Sequence, residues 1–249
     1  MEAAPAPTKR ISVGDVVGET FSTYGQNLGA VLGASIVVFV IVGLVSGLLQ
    51  SAGGLVLGLL AGIVRLVGYA LYTGFVVRLV QDTRDGRRDQ TVGDLFSSAT
   101  GAIVPLIIFG ILFGFAVGIG FILLIIPGLI LLTFWCVGAP AIVVEREGPI
   151  GAFGRSWNLV RGDAWSVFAA LLVILIIVVV IQFILGAIAT PISDGAIIVA
   201  SIISTIITAP IFAIAVSVMF FDLGGGHGAA ARAASEPPPP AAPAAGPTG

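Results

Sequence analysis

Charge is scarce in this sequence: Asp, Glu, Lys and Arg make up 10% of its 249 residues, less than half of the ~25% usual in soluble domains. Between Asp94 and Glu145, fifty consecutive residues carry no ionisable side chain except the Cys136 thiol. That run excludes an ordinary water-solvated domain and is long enough for two membrane crossings at about 20 residues each. Cysteine occurs once, so no disulfide can close within the chain, and Cys136, inside an apolar run, reads as an inert packed thiol. The single histidine, His227, stands in a GGGHG linker and is expected to be solvated. No Asp, Glu or His falls inside the six apolar stretches described below. This argues against proton-coupled transport, which needs a titratable group along its path, and against intramembrane aspartyl or metal-dependent hydrolysis, which needs paired acids or His ligands. No catalytic residue, metal or cofactor is therefore expected. The amino end, MEAAPAPTKR, has Lys9 and Arg10 but no apolar core close behind them and no small-residue cleavage pattern, so it does not read as a secretory signal. The formal charge of −2 points to no class of partner, and no nucleic acid is expected.

What the chain has in abundance is apolar length. Residues of apolar type make up 57% and the mean hydropathy is +1.14, values of a chain whose main solvent is lipid. The pattern predicts an all-α membrane protein with six transmembrane helices as three hairpins, each preceded by a cytosolic interfacial amphipathic helix. The spans are expected at about 28–49, 55–80, 102–122, 127–144, 164–189 and 196–221, with a flexible tail over 1–10 and a disordered Pro/Ala-rich tail over 223–249. ISVGDVVGETFSTYGQN places Val13, Val16, Val17, Phe21 and Tyr24 on one helical face, with Ser12 and Asp15 at capping-box spacing. TVGDLFSSA repeats the device, with Thr91 and Asp94 at the same spacing and Val92, Leu95, Phe96 and Ala99 on one face. The third interfacial helix starts at Pro149, where a missing amide costs little, and puts Ile150, Phe153, Trp157 and Val160 on one side. RDGRRDQ and TPISDG read as turns, and a further turn is expected between Gly118 and Gly128, with Pro127-Gly128 marking it or its exit.

Each of these helices precedes a pair of spans, so the chain reads as three parallel copies of one unit, although interfacial helices before hairpins also look alike on physical grounds alone. Ten of the eleven Lys and Arg residues lie in the two tails, the second-to-third connection, the fourth-to-fifth connection, or the span ends beside them. By the positive-inside rule both termini and all three surface helices are expected in the cytosol. Packing between spans is expected through glycine ridges, Gly25-Gly29-Gly33, Gly54-Gly58-Gly62 and Gly110-Gly114-Gly118. Pro140 and Pro210 are expected to kink the fourth and sixth spans, and the Ile/Val-rich last two spans suit lipid-facing or looser packing.

Apart from Arg78 at the end of the second span, Arg65 is the one charge within a span, where it costs at least ~2.5 kcal/mol. Tyr69 and Tyr72 share its helical face, and Gln182 with the stripe Ser201, Ser204, Thr205 and Thr208 offers polar partners. Arg65 is then either a structural pin that snorkels or is held by hydroxyls, or a contact for an anion or lipid phosphate. A mixed cluster, Glu145, Arg146, Glu147, Arg155, Arg161 and Asp163, reads as a solvated interface; the alternative is that Arg155 and Arg161, flanked by Trp157 and Trp165, bind anionic head groups.

IPG at 126–128, a Trp-containing span, APAIVVEREG at 139–148 and the AxxRSWxLVRG pattern from Ala152 to Gly162, followed by an aromatic residue, together resemble the glycerophosphoryl diester phosphodiesterase membrane-domain family and related six-span bacterial proteins. The likeness covers about residues 10–222 and is most specific over about 125–165. It implies six helices with cytosolic surface helices in a bacterial plasma membrane. Some relatives carry a soluble phosphodiesterase domain; its His and acidic cluster is absent here and the tail is too short for it, so that activity does not carry over. The expected role is a non-enzymatic structural or accessory module that meets the lipid bilayer, anionic lipids, and a protein partner or second copy of itself. The alternative is a transporter or channel for an anionic or amphiphilic solute, with Arg65 and the hydroxyl stripe lining the path.

Overall fold

The structure is a computed structural model, and it describes residues 11–86, 91–189 and 194–226. The expected tail over 1–10, most of the tail over 223–249, and parts of the RDGRRDQ and TPISDG turns lie outside these residues. Ten α-helices follow in order: α1 Val13–Gln26, α2 Leu28–Ser51, α3 Leu55–Asp85, α4 Val92–Ala99, α5 Ile103–Leu123, α6 Ile125–Trp135, α7 Gly138–Glu145, α8 Pro149–Val160, α9 Ala164–Ala189 and α10 Asp194–Asp222, with a single 3-10 turn at Thr100–Ala102. No strand occurs among the described residues. Six stretches are long and apolar enough to cross a membrane: Leu28–Ser51, Leu55–Asp85, Val92–Leu123, Ile125–Glu145, Ala164–Ile188 and Val199–Asp222. The chain is thus a multi-pass membrane protein by length and composition.

Local chemistry sets most boundaries. Gly53 and Gly54 take φ of 75° and 90° between α2 and α3, a left-handed backbone that residues with a Cβ resist. The third and fourth stretches reverse at one residue, Leu124, extended at φ −164° and ψ 149°. Pro127-Gly128 is thus the exit from the reversal and not the reversal itself; it lies in the first turn of α6, where a proline needs no amide. The fourth stretch breaks at Cys136–Val137, between α6 and α7. Pro140 stands four residues after Cys136, and a proline ring crowds the carbonyl four residues back. α10, by contrast, stays helical through Pro210. Beyond α10 the described chain continues as a turn, and the Gly226 amide donates to Glu145 Oε1 at 2.9 Å.

Packing is uneven along the helices. Buried side chains gather in the half that carries α1, α4 and α8: Val31 to Phe39 of α2, Ala70 to Val80 of α3, Leu106 and Phe109 of α5, Val137 to Glu145, Val167 to Ile174 of α9, and Ile211 to Phe220 of α10. At the other end Leu48, Leu55, Val56, Ile122, Leu123 and Phe183 are each at least 70% exposed. α10 sits at the centre, against α9, α1, α2, α3 and α7, and 61% of its most apolar window is buried, against 44% or less in the other five stretches. The expectation of loose, lipid-facing packing for the sixth span is thus overturned. Every third or fourth residue of α10 is Ala, Ser or Thr, small enough for five neighbours to approach.

The expected glycine ridges do not pack the bundle. A Cβ at Gly25, Gly29, Gly33, Gly58, Gly62, Gly110, Gly114 or Gly118 would meet nothing within 4 Å. The close approaches occur elsewhere: Gly120 against the Gly128 backbone, with a Cβ at 2.9 Å from its Cα; Gly74 against the Ala99 Cβ at 3.0 Å; Gly68 against Val42; and Gly138 against Phe109. The four-residue spacing reported glycine content, whereas contact depends on which face the partner helix occupies.

The short helices pack largely on the expected residues, Val13, Val16, Val17 and Tyr24 of α1, Leu95, Phe96 and Ala99 of α4, and Phe153 and Val160 of α8, but small residues join them and some large ones stay out. α1 buries Val16, Thr20 and Thr23 while Phe21 is exposed, and α8 buries Ala152, Ser156 and Val160 while Ile150 and Trp157 are exposed. Small side chains let a helix lie close to the bundle, and their hydroxyls are satisfied: Thr20 donates to the Val16 carbonyl of its own helix at 2.7 Å and Ser156 to the Phe134 carbonyl of α6 at 2.8 Å. The Thr91–Asp94 capping box forms in both directions, whereas Ser12 is an N-cap residue whose side chain caps nothing.

Candidate functional site

Two recesses lie within the bundle. The first, about 380 Å3, is walled by α3, α5, α6, α7, α9 and α10, with mostly apolar side chains and a few polar groups: Tyr69, Tyr72, Thr73, Gln182, Thr205 and Thr208. The second, about 570 Å3, lies between α2, α3 and α10 and holds Arg65, Ser46, Gln50, Ser201, Tyr69 and Thr205. Tyr69 and Thr205 line both, so the recesses adjoin across these two side chains. Mostly apolar walls with sparse convergent polar groups are the usual make-up of a small-molecule site.

The sequence-derived set is thus largely brought together, but not around Arg65. Arg65 Nε donates to Ser46 Oγ at 3.3 Å across the α2–α3 pair, and Arg65 lines only the second recess. Tyr72 is 1% exposed; its hydroxyl accepts from Ser35 Oγ at 2.8 Å and donates to the Val31 carbonyl at 3.3 Å, fastening α3 to α2 behind the cavity wall. Thr208 spends its proton on the Ser204 carbonyl at 2.7 Å, a local bond that presents the acceptor side of the hydroxyl. Ser204 itself lines neither recess, and its buried Oγ has no hydrogen-bond partner. Tyr69 is ringed by Phe39 at 5.2 Å between centroids.

Ser35, Ser46 and Gln50 were missed from sequence, although a signal existed. Ser35 and Tyr72 are each eighteen positions from the Gly53-Gly54 pair. In an antiparallel helix pair, equal distance from the turn means equal height, because each residue rises 1.5 Å.

At the surface-helix end, Arg155 meets Glu145 as a fork, Nε to Oε2 at 2.6 Å and Nη2 to Oε1 at 2.7 Å. Glu145 is 5% exposed by its side chain, and its carboxylate raises the Arg155 pKa further through this hydrogen bond. Two of Arg155's five donors are therefore spent on an internal partner. Trp157 stacks on Phe134 at 4.1 Å while remaining 42% exposed, and Trp165 is 84% exposed with its edge against Phe168. Arg161 is exposed beyond α8. Arg84 joins three elements, its Nη2 reaching Glu19 at 2.6 Å and Asp222 at 2.8 Å.

A family model described as a domain of unknown function, DUF7847, matches residues 51–223. The match takes in α3 to α10 and leaves out α1 and nearly all of α2, so Arg65, Tyr69, Tyr72, Gln182, Thr205 and Thr208 fall within it and Ser35, Ser46 and Gln50 outside. No curated protein and no solved structure matches the chain.

Proposed function

The chain belongs to the DUF7847 family, and from that premise we propose that it binds an anionic amphiphile inside its helical bundle without changing it chemically. One observation carries this reading: an apolar cavity of about 380 Å3 and an arginine-bearing recess of about 570 Å3 share Tyr69 and Thr205 as walls. An acyl or similar apolar body suits the first, and an anionic head suits Arg65, Ser46 and Gln50 in the second, since a hydrogen bond from a guanidinium is strongest to a charged acceptor.

The bundle is drawn as three membrane hairpins, α2–α3, α5 with α6–α7, and α9–α10, each following an interfacial helix. Lys and Arg on the surface-helix side put that side and both termini in the cytosol, and the likeness to the glycerophosphoryl diester phosphodiesterase membrane-domain family favours a bacterial plasma membrane. The role is that of a non-enzymatic accessory module whose ligand is a lipid or lipid-like molecule, and a protein partner or a second copy would meet it through the exposed apolar faces. The lack of acids and histidines along the spans supports the non-enzymatic reading.

The test is equilibrium binding of dodecyl phosphate to purified full-length protein in neutral detergent. Arg65→Leu and Ala209→Phe, the second filling the cavity, are each expected to weaken binding at least about tenfold, ~1.4 kcal/mol. Binding unchanged in both variants overturns the reading. Transport of the same solute is the second reading, favoured by the continuity of the two recesses. It is read by flux of chloride, phosphate and dodecyl phosphate through proteoliposomes at matched incorporation. Flux lost in Arg65→Leu assigns transport, and tight vesicles with both proteins leave a binding module.

A further inference from the structure

Away from these recesses, at the surface-helix end, a third hollow of about 300 Å3 lies between α3, the start of α5 and the α7–α8 connection, and holds Arg78, Arg146 and Ser98. Arg78 is only partly partnered. Nη1 donates to Gln81 Oε1 at 2.9 Å, whereas the buried Nε has no hydrogen-bond partner, an arrangement that is costly unless something else accepts from it. The Arg146 backbone amide donates to the Ala141 carbonyl, but its guanidinium forms no hydrogen bond or ion pair among the described residues, and the two arginines stand close enough to repel one another. Two like charges at one hollow, one with an orphaned donor, describe a site built for an acceptor that comes from outside.

The backbone points the same way. Arg146 is the one non-glycine residue with positive φ among the described residues, at φ 57° and ψ 34°, where it closes α7. Glycine is the usual occupant of that position, and strain kept by a residue with a Cβ gathers at functional sites. Glu147 also lines the hollow, but its Oε2 leans over Gly151 at the start of α8, 2.8 Å from where a Cβ would stand, and it pairs with neither arginine. Counting both guanidinium groups and the Glu147 carboxylate, the hollow carries a net charge of +1. That suits a singly charged phosphodiester better than a doubly charged phosphate.

We propose that Arg78 and Arg146 form a binding site for a singly charged phosphate group, as in an anionic phospholipid head or a free phosphate ester. The head-group phosphates of a bilayer leaflet lie at the level expected for this hollow: Arg84, ion-paired at the end of α3, is only about 9 Å further along the helix axis at 1.5 Å per residue. Planar guanidinium forks bind phosphate oxygens in pairs, and two arginines oppose the charge from two elements.

The site is tested by titrating the full-length protein in neutral detergent with dihexanoyl-phosphatidylglycerol and, separately, with inorganic phosphate. Both titrations are repeated in an Arg65→Leu chain, so that this site and the recess near Arg65 fail independently. Arg146→Gly removes a guanidinium and relieves the left-handed strain. It is expected to melt at or above the wild-type temperature while weakening phosphatidylglycerol binding at least about tenfold, a combination that a merely structural arginine would not give. Arg78→Gln is expected to weaken binding to the same degree. Phosphatidylglycerol bound without inorganic phosphate assigns a lipid head, and equal binding of the two assigns a free phosphate. Absence of binding to either, or binding unchanged in Arg146→Gly, overturns the site.

Discussion

Single residues decide how closely these helices approach, and the glycines divide into two kinds. Gly120 lies against the Gly128 backbone, so a Cβ at 2.9 Å from its Cα has no flexible neighbour to displace. Gly120→Ala is expected to destabilise by about 1–3 kcal/mol, the usual penalty of overpacking, whereas Gly114→Ala, with open space around it, gains up to about 0.5–1 kcal/mol of helix propensity. Thermal melts in one detergent separate the two, and equal melting temperatures would contradict the packing of α5 on α6. Tyr72→Phe removes the donor to the Val31 carbonyl and the acceptor for Ser35. Because Ser35 Oγ also lies 2.9 Å from the Val31 carbonyl and can turn its one proton there, no group is stranded, and the cost should stay near ~1 kcal/mol.

Elements are held at their ends by polar devices, and here like sequences differ in outcome. Thr91 and Asp94 form a reciprocal cap on α4, with the Thr91 amide donating to Asp94 Oδ2 at 3.0 Å, while Ser12 at the same spacing from Asp15 does not cap α1. Thr91→Ala should speed amide exchange in the first turn of α4, whereas Ser12→Ala should leave α1 unchanged. α7, α8 and the turn after α10 meet at Glu145, which takes the Arg155 fork and the Gly226 amide. Removing Arg155 takes the guanidinium fork away from a nearly buried carboxylate, so Arg155→Met is expected to cost about 3–5 kcal/mol and Arg155→Met with Glu145→Gln less. A single and a double variant with equal melting temperatures would mean that the pair does not act as a unit.

Across the whole molecule, the tightly packed end carries all three short helices and the far end is opened out, with its large apolar side chains exposed, an arrangement that lipid can solvate at no cost in hydrophobic free energy. Topology is the prediction at this scale: reporters fused after Asp222 and inserted near Asp194 should lie on opposite sides of the membrane, and signals on one side would break the six-span drawing. The sequence by itself determined that drawing. Apolar run length against a fixed bilayer thickness needs no knowledge of neighbours, and helix starts at Thr91 and Pro149 follow from local amide chemistry. It also pointed to Tyr69, Tyr72, Gln182 and Thr208, because polar groups within apolar runs stand out. Only the tertiary structure decided that α10 is central, that the glycine ridges are unpacked, that Arg65 turns to Ser46 and that Arg155 is ion-paired with Glu145 while Arg78 and Arg146 meet no carboxylate among the described residues. The outcomes within the helices depend on the rotation of each helix about its own axis. Uniformly apolar helices carry almost no periodic signal for that rotation, so it is fixed by steric fit and polar satisfaction between elements distant in sequence.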